Sequence, residues 1–173
     1  MAVMEKNSHP QQTEKPQSYD AARVREAKLR DAPAIAELYE QSWPERDVDE
    51  ETVVGWLEHG GALMLEDDQG RAVSVLCWTE KPYGWQLDPL AIRDDYRDHG
   101  LERWLMTKAE ALAIQDSVAS LHLHFGKKYV GDSYDDWLTF YRRLGYQVSE
   151  ENEVDAEVHL SKQVGGTWQY QQR

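Results

Sequence analysis

The chain of 173 residues is long enough for one domain with a buried core and too short for two comfortable domains. Its 32 acidic and 19 basic residues leave a net charge of -13. That charge argues against non-specific nucleic-acid binding and against a polybasic membrane patch, and it suits a cationic substrate or partner. No run approaches the ~20 apolar residues of a membrane span, the first residues contain no apolar signal segment, and Cys77 is the only cysteine. We therefore expect a cytoplasmic protein.

The composition changes twice along the chain. Residues 1–20 are polar and include Pro10 and Pro16, so they are expected to form a disordered arm. Residues 21–163 carry periodic apolar patterns and are predicted to form one domain, followed by a polar tail at residues 164–173. The chain contains no internal repeat.

The first half of the domain begins with a predicted strand at residues 22–29. Asp31 is a suitable N-cap for the helix that follows, in which Ile35, Leu38 and Tyr39 form an apolar stripe. A second helix is predicted at residues 50–61, ended by two glycines. Two apolar runs around residues 68–70 then predict a β-hairpin.

The second half begins with a predicted strand at residues 83–93, in which Pro89 lacks a donor and indicates a bulge or an edge. Apolar periodicity predicts a helix from residue 99 to residue 115. Residues 120–125 alternate strictly, which places His122 and His124 on one face of a strand. The pattern ends with a helix at 132–145 and strands at 146–150 and 156–162. The whole order predicts an α/β (α+β) domain with helices on a mixed sheet.

Three segments in this order resemble the GNAT superfamily of acyl-CoA-dependent N-acyltransferases: VREAKLRDAPAIAELYEQ, LDPLAIRDDYRDHGLERWLM and WLTFYRRLGYQ. The resemblance covers residues 24–162. It implies a mixed, mostly antiparallel sheet flanked by helices, with two central strands splayed apart. It also implies acetyl-CoA as co-substrate, an amine as acceptor, and a fold compatible with a homodimer.

The resemblance implies a cofactor site at the splayed strand and the helix after it. The pantetheine arm of CoA pairs with such a strand, and its pyrophosphate lies on N–H groups at the helix start, where unpaired donors and the helix dipole attract anions. The family pattern is Gln or Arg, two residues, Gly, one residue, then Gly or Ala. The implied cofactor residues are Leu90, Ala91, Ile92, Arg97, Asp98, His99, Gly100, Leu101 and Glu102.

Two residues of this segment depart from the family pattern. Glu102 stands where Gly or Ala is expected, and Asp98 stands where a further glycine is common. A carboxylate about 4 Å from a phosphate charge costs roughly 1 to 4 kcal/mol. An acid in the first turn of a helix is also favourable by itself, so Glu102 has a purely structural interpretation. Trp137 stands in a helix position where the family often has a small residue.

Acyl transfer to an amine requires a base, a donor to the developing oxyanion, and an acid for the leaving thiolate. Tyr141 resembles the tyrosine that supplies the thiolate proton in many family members; its alternative is a core aromatic. Asp88 is the first candidate base, and His124, with His122, is the second. The histidine spacing could bind a metal together with His99, but a polar strand face is commoner, and no metal is predicted.

Two functions remain open from the sequence. The first is an N-acyltransferase, an acetyltransferase in its usual form, that acts on a cationic amine of a small molecule or a protein. The second is a catalytically silent GNAT-like module that binds a protein partner through its acidic surface; Asp98, Glu102 and Trp137 motivate this alternative.

Overall fold

The computed structural model describes residues 24–97, 100–152, 154 and 156–165. The predicted arm, most of the predicted tail, and the two predicted cofactor residues Asp98 and His99 lie outside the described residues. Within the described part, no helix is both long enough and apolar enough to cross a membrane.

The described chain forms five α-helices and eight strands. The helices are α1 (Ala32–Ser42), α2 (Glu50–His59), α3 (Leu101–Gln115), α4 (Lys127–Val130) and α5 (Tyr134–Arg143). The strands are β1 (Val24–Glu26), β2 (Gly60–Glu66), β3 (Ala72–Lys81), β4 (Gly84–Leu87), β5 (Ala91–Ile92), β6 (Ser120–Gly126), β7 (Gln147–Asn152) and β8 (Glu157–Gln163).

All eight strands belong to one sheet with the order β1-β2-β3-β4-β6-β8-β7, and β5 pairs with β3 beyond the end of β4. Every pairing is antiparallel except the one between β4 and β6. This mixed, mostly antiparallel sheet flanked by helices confirms the fold predicted from the sequence.

The parallel pairing of β4 and β6 is short, and the two strands separate beyond it. The last paired residues are Leu87 and Leu123. After them β6 continues to Gly126 on the β8 side alone, whereas the chain of β4 bulges and returns to β3 at Ala91. A gap therefore opens between the two central strands, as the resemblance implied.

The helices cover the two faces of the sheet, and they meet at this gap. On one face α1 and α2 pack on β3, with the Tyr39 ring beside Cys77. Leu87 and Leu123 lie on the opposite face, together with Phe125, because alternate residues of a strand share a face. Phe125 packs against two tyrosines of α5, with ring centroids 5.4 and 5.9 Å away.

Three local predictions need correction. The strand predicted at 83–93 is two strands, because Pro89 cannot donate to the ladder and the segment bulges there. The sequence pattern predicts no element between the strand at 120–125 and the helix at 132–145, but residues 127–130 form a single helical turn, α4. Asp31 does not cap α1 with its side chain. Its carboxylate accepts from the Lys28 N–H at 2.7 Å and from the Arg25 guanidinium at 2.8 Å, which stabilises the 3₁₀ turn before α1.

Candidate active site

The bulge between β4 and β5 inserts one extra residue on the β4 side. Leu87 pairs with Trp78, and Ala91 pairs with Val75. The chain therefore advances four residues between β4 and β5 while β3 advances three. Such a bulge re-aims the backbone. The Asp88 N–H still bonds to the Cys77 carbonyl at 3.0 Å, and the residues that follow face the gap.

Two residues of this segment point backbone groups away from β3. The Arg93 N–H bonds to the Val73 carbonyl at 2.9 Å, so the alternation of an antiparallel ladder directs the N–H and C=O of Ile92 the other way. Leu90 lies two residues earlier, and its carbonyl bonds to a side chain instead of to β3. The backbone groups of Leu90 and Ile92 that face away from β3 are called the slot edge below.

The end of α1 already binds most of the slot edge. The indole Nε1–H of Trp43 donates to the Leu90 carbonyl at 2.7 Å. The Ser42 hydroxyl donates to the Ile92 carbonyl and accepts from the Ile92 N–H, both at 2.9 Å. Among the described residues, the Leu90 N–H has no hydrogen-bond acceptor. It is therefore the slot-edge donor left available.

Aromatic rings fill the deep part of the gap. The ring centroids of Trp43, at the end of α1, and Trp137, on α5, are 5.6 Å apart. Since α1 and α5 lie on opposite faces of the sheet, this contact runs through the gap. The cavity beside the two rings, also lined by His124 and Tyr141, has a volume of about 10 Å³, which is room for about one water molecule.

The outer part of the gap is an open groove of about 300 Å³ that leads to the start of α3. Gly100 begins this helix with φ +78, and no atom lies within 4 Å of the position its Cβ would occupy. No described side chain caps the first N–H groups of α3. A helix start with free donors and an open approach fits an anionic group such as a phosphate.

The charges around this groove are mostly negative. Arg97, Glu102 and Asp136 all line it, and the Arg97 guanidinium already pairs with Asp94 at 3.1 Å. The sequence prediction that Glu102 lies beside the phosphate position stays a prediction, but its place on the groove wall is compatible with it. A phosphate bound there would meet one guanidinium and at least two carboxylates.

Asp88 is a mostly buried carboxylate at the start of the bulge. One of its oxygens accepts from Nη2 of Arg46 at 3.2 Å, and its side chain is 15% exposed. Burial raises the pKa of Asp88 to about 6, and the charge of Arg46 opposes that rise. A carboxylate with a pKa near 6 can accept a proton at neutral pH and release it again.

Tyr141 is buried among aromatic rings on the other side of the gap. Its ring lies 5.9 Å from Trp137 and 5.9 Å from Phe125. Burial, with a smaller effect of the Glu102 carboxylate, raises the pKa of Tyr141 well above its ordinary value. The hydroxyl therefore keeps its proton at neutral pH and is available as a proton donor.

The two histidines of β6 have different surroundings. His124 is half-exposed, borders the small cavity, and lies 3.3 Å from a Glu157 oxygen. His122 bonds through Nε2 to the Ser120 hydroxyl, which itself donates to the Tyr83 carbonyl. Because a hydroxyl has one proton to give, Nε2 of His122 must be the donor. Burial, followed by the nearby His159, lowers the pKa of His122.

The predicted site residues thus gather around one gap. Tyr141 and His124 line its deep part, and Leu90, Ile92, Arg97 and Glu102 line the groove. The other described site residues line neither: Asp88 contacts Arg46, Ala91 pairs with β3, Gly100 begins α3, and Leu101 is buried. In the described residues, no group of three potential ligands could hold a metal ion.

Sequence reasoning missed the contributions of Ser42 and Arg46 and the role of Trp43. Ser42 is the last residue of α1, and Trp43 and Arg46 lie in the connection after it. The partners of all three lie more than 40 positions later. A tryptophan followed by proline at a helix end was visible in the sequence, but it carries no information about a contact so distant along the chain.

Comparison with known proteins gives a consistent result. Residues 32–146 match the model of the acetyltransferase (GNAT) family. No curated protein matches the chain. Among solved structures, the ribosomal-protein-S18-alanine N-acetyltransferase from Escherichia coli superposes with a TM-score of 0.70 at 16% identity, covering 83% of this chain and 94% of that one.

Two other similar structures contain coenzyme A. The PaiA N-acetyltransferase from Thermoplasma acidophilum has a TM-score of 0.67 at 12% identity and covers 81% of this chain and 97% of its own. An aminoglycoside 6'-N-acetyltransferase has a TM-score of 0.66 at 17% identity, with coverages of 83% and 97%. At these identities the likeness establishes the fold, and the match of the family model establishes the family.

Proposed function

The chain belongs to the GNAT acetyltransferase family, as its sequence predicted, and from that premise we propose that it transfers an acyl group, normally acetyl, from acyl-CoA to an amine. The observation that carries the proposal is the gap between β4 and β6. Leu90, with an N–H that no described residue accepts from, and Tyr141, a proton donor, line the gap. Asp88, a proton acceptor, lies at the start of the bulge beside it.

Acetyl-CoA, when bound, supplies the activated thioester. The first N–H groups of α3 and the open approach at Gly100 would hold its pyrophosphate, with Arg97 as the neighbouring cation. Leu90 and Ile92 would pair with its pantetheine arm. The free N–H groups at the start of α3 fit the pyrophosphate. The slot edge fits the pantetheine arm once Ser42 and Trp43, which now bind the slot edge, are displaced.

The residues of this chain would act on protons and on charge. The Asp88 carboxylate would take the proton of the acceptor ammonium, either directly or through a water molecule, with His124 as the second candidate. The Leu90 N–H would donate to the carbonyl oxygen on which negative charge develops. The Tyr141 O–H would supply the proton that the departing sulfur requires.

The acceptor we propose is a cationic amine, because the net charge of -13 favours the approach of cations. Two of the similar proteins are named for unlike acceptors, a ribosomal-protein alanine and an aminoglycoside, so the comparison does not favour one acceptor for this chain.

The experiment that tests the proposal is an acyl-transfer assay. Purified protein and acetyl-CoA are incubated with a polyamine, an aminoglycoside, and peptides with a free N-terminus or a lysine, and products are identified by mass spectrometry. We expect acetylated product from at least one amine, lost in Asp88→Asn. Thioester hydrolysis alone, with every amine unmodified, would contradict the proposal.

One observation favours a second function, the silent module. Glu102 and Asp136 line the groove at the proposed phosphate position. If they prevent CoA binding, the domain would act instead as an acidic binding surface for a protein. Glu102→Gly should then create CoA binding that the wild type lacks. A wild type that turns over acetyl-CoA in the presence of an amine excludes this function.

A further inference from the structure

Resting on the proposed function, we propose that Ser42 and Trp43 form a latch that closes the slot edge, and that an acyl-pantetheine chain enters only by displacing Trp43 from the Leu90 carbonyl. Trp43 is then the residue that decides which thioesters the site accepts. The name latch is used below for these two residues.

The latch occupies the polar groups that an extended chain would need. Leu90 and Ile92 together offer four backbone groups at the slot edge, and three of them are bound by Ser42 and Trp43 at 2.7 to 2.9 Å. An amide-containing chain laid along β5 would compete for these same groups, as an added strand does.

The Trp43 ring also occupies the space that the acyl chain would need in the deep part of the gap. Its contact with Trp137 runs through the gap, and the neighbouring cavity of about 10 Å³ admits about one water molecule. Even an acetyl group does not fit while both rings stay in place. The groove outside, in contrast, is open, at about 300 Å³.

Trp43 can leave the slot edge without unfolding α1. It follows the last helical residue, its backbone has left the helical region (φ -140, ψ 60), and Pro44 follows it. The hydrogen bond it gives up is replaced, because an amide N–H of the arm can donate to the Leu90 carbonyl. An exchange of one bond for another has a small net cost.

The consequence is selectivity for thioesters that carry amides along an extended arm. A short thioester without amides cannot replace the bond to Leu90, so it leaves that buried carbonyl unpaired, which is costly. Acyl-pantetheine compounds, whether or not they carry a nucleotide, can replace it. The latch therefore keeps small reactive thioesters out of the deep part of the gap until an acyl-pantetheine chain displaces it.

The test measures binding of two halves of the cofactor by isothermal titration. S-acetylpantetheine probes the slot edge, and 3',5'-ADP probes the outer end of the groove at the start of α3, where Arg97 and Glu102 lie. The variants are Trp43→Ala, Trp43→Phe, which keeps a ring and loses the Nε1–H donor, and Trp56→Ala. Trp56 is a matched control because its indole packs on Tyr39 from α2 and lines neither the small cavity nor the groove.

We expect S-acetylpantetheine to bind Trp43→Ala about tenfold more tightly than the wild type, since the chain no longer competes with a hydrogen bond and a ring. Trp43→Phe should be intermediate, Trp56→Ala unchanged, and 3',5'-ADP equal in all four proteins. Equal affinity of the acyl chain for wild type and Trp43→Ala overturns the latch. If 3',5'-ADP still binds, the proposed function survives; if neither probe binds any variant, both fail.

A measurement on the wild type covers the case in which the variants do not fold. The indole N–H of Trp43 is buried and bonded, so its proton should exchange slowly with solvent in an NMR spectrum. Saturation with S-acetylpantetheine should make that exchange fast. An indole proton that stays protected while the chain binds overturns the latch.

Discussion

The Asp88 carboxyl illustrates how one buried charge links stability to pH. Its pKa is raised from 3.8 to about 6 by burial. Below about pH 4 the carboxyl is neutral in both the folded and the unfolded chain. Between about pH 4 and pH 6 the unfolded chain ionises first, so the folded state loses stability as pH rises. Above about pH 6 the full cost, on the order of 3 kcal/mol, is present.

Asp88→Asn should remove this dependence. We expect the free energy of unfolding of the wild type to fall relative to that of Asp88→Asn by on the order of 3 kcal/mol between pH 4 and pH 7. Urea denaturation of both proteins at several pH values measures the difference, in which titrations of other groups cancel. If the free energies of unfolding of the two proteins changed in parallel with pH, Asp88 would already be ionised in the folded protein at pH 4, and its pKa would not be raised.

At Tyr141 the hydroxyl can be separated from the ring. Tyr141→Phe keeps the aromatic packing with Trp137 and Phe125 and removes only the proton donor. We expect kcat to fall by roughly 10²-fold, at the lower end for a lost acid, while the Kd for acetyl-CoA is unchanged. Tyr146→Phe is the matched control, because Tyr146 is also buried but lines neither pocket. Equal kcat in both variants would reduce Tyr141 to a core aromatic.

At the level of elements, the start of α3 combines free N–H donors with an unfavourable carboxylate. Glu102→Gln keeps the size of the side chain and removes the charge beside the groove. We expect acetyl-CoA affinity to rise about tenfold at low salt, in line with roughly 1 to 2 kcal/mol of repulsion, and less at high salt. Asp116→Asn, at the other end of α3, changes the net charge equally and should have little effect. Equal gains in both variants would point to net charge alone.

The pairing of β4 with β6 depends on a glycine. Gly84 has φ +142, and a Cβ there would lie 2.0 Å from the Ser120 carbonyl oxygen. Gly84→Ala should lower the free energy of unfolding by at least ~2 kcal/mol, since strain and a backbone clash combine. Gly70→Ala, with φ +74 and open space, carries the strain alone and should cost about 1 kcal/mol. Similar urea midpoints for both variants would contradict the claim that Gly84 is required by the close approach of the Ser120 carbonyl.

The elements were predictable where local patterns decide them. Strict alternation identified β6, apolar periodicity identified α3, and Pro89 marked the bulge. The four-residue helix α4 has no local pattern of its own, so it was missed. The latch was also out of reach, because the bond from Trp43 to Leu90 joins residues 47 positions apart, and only the packing of α1 on the sheet brings them together.

For the molecule as a whole, the sequence specified the fold better than the chemistry. The order of strands and helices follows from periodicity, and the gap follows from it once the bulge is placed. Whether the gap is open or filled does not follow from periodicity, since it depends on which side chains occupy the gap. Trp137 was visible as a bulky residue in the sequence, but its contact with Trp43 is a property of the assembled domain.

The net charge of -13 also acts at the scale of the whole molecule. It favours a cationic acceptor and repels an anionic cofactor. Because long-range repulsion is screened over ~8 Å at physiological ionic strength, acetyl-CoA should bind more tightly at moderate salt than at very low salt, the reverse of the usual order for an anionic ligand.

The most direct test of the central claim is isothermal titration of the full chain with acetyl-CoA at low and moderate salt. We predict saturable binding with a Kd between roughly 1 µM and 1 mM, tighter at moderate salt. Absence of heat at millimolar acetyl-CoA, from a sample shown to be folded, would contradict the assignment of this domain as an acyl-CoA-dependent transferase.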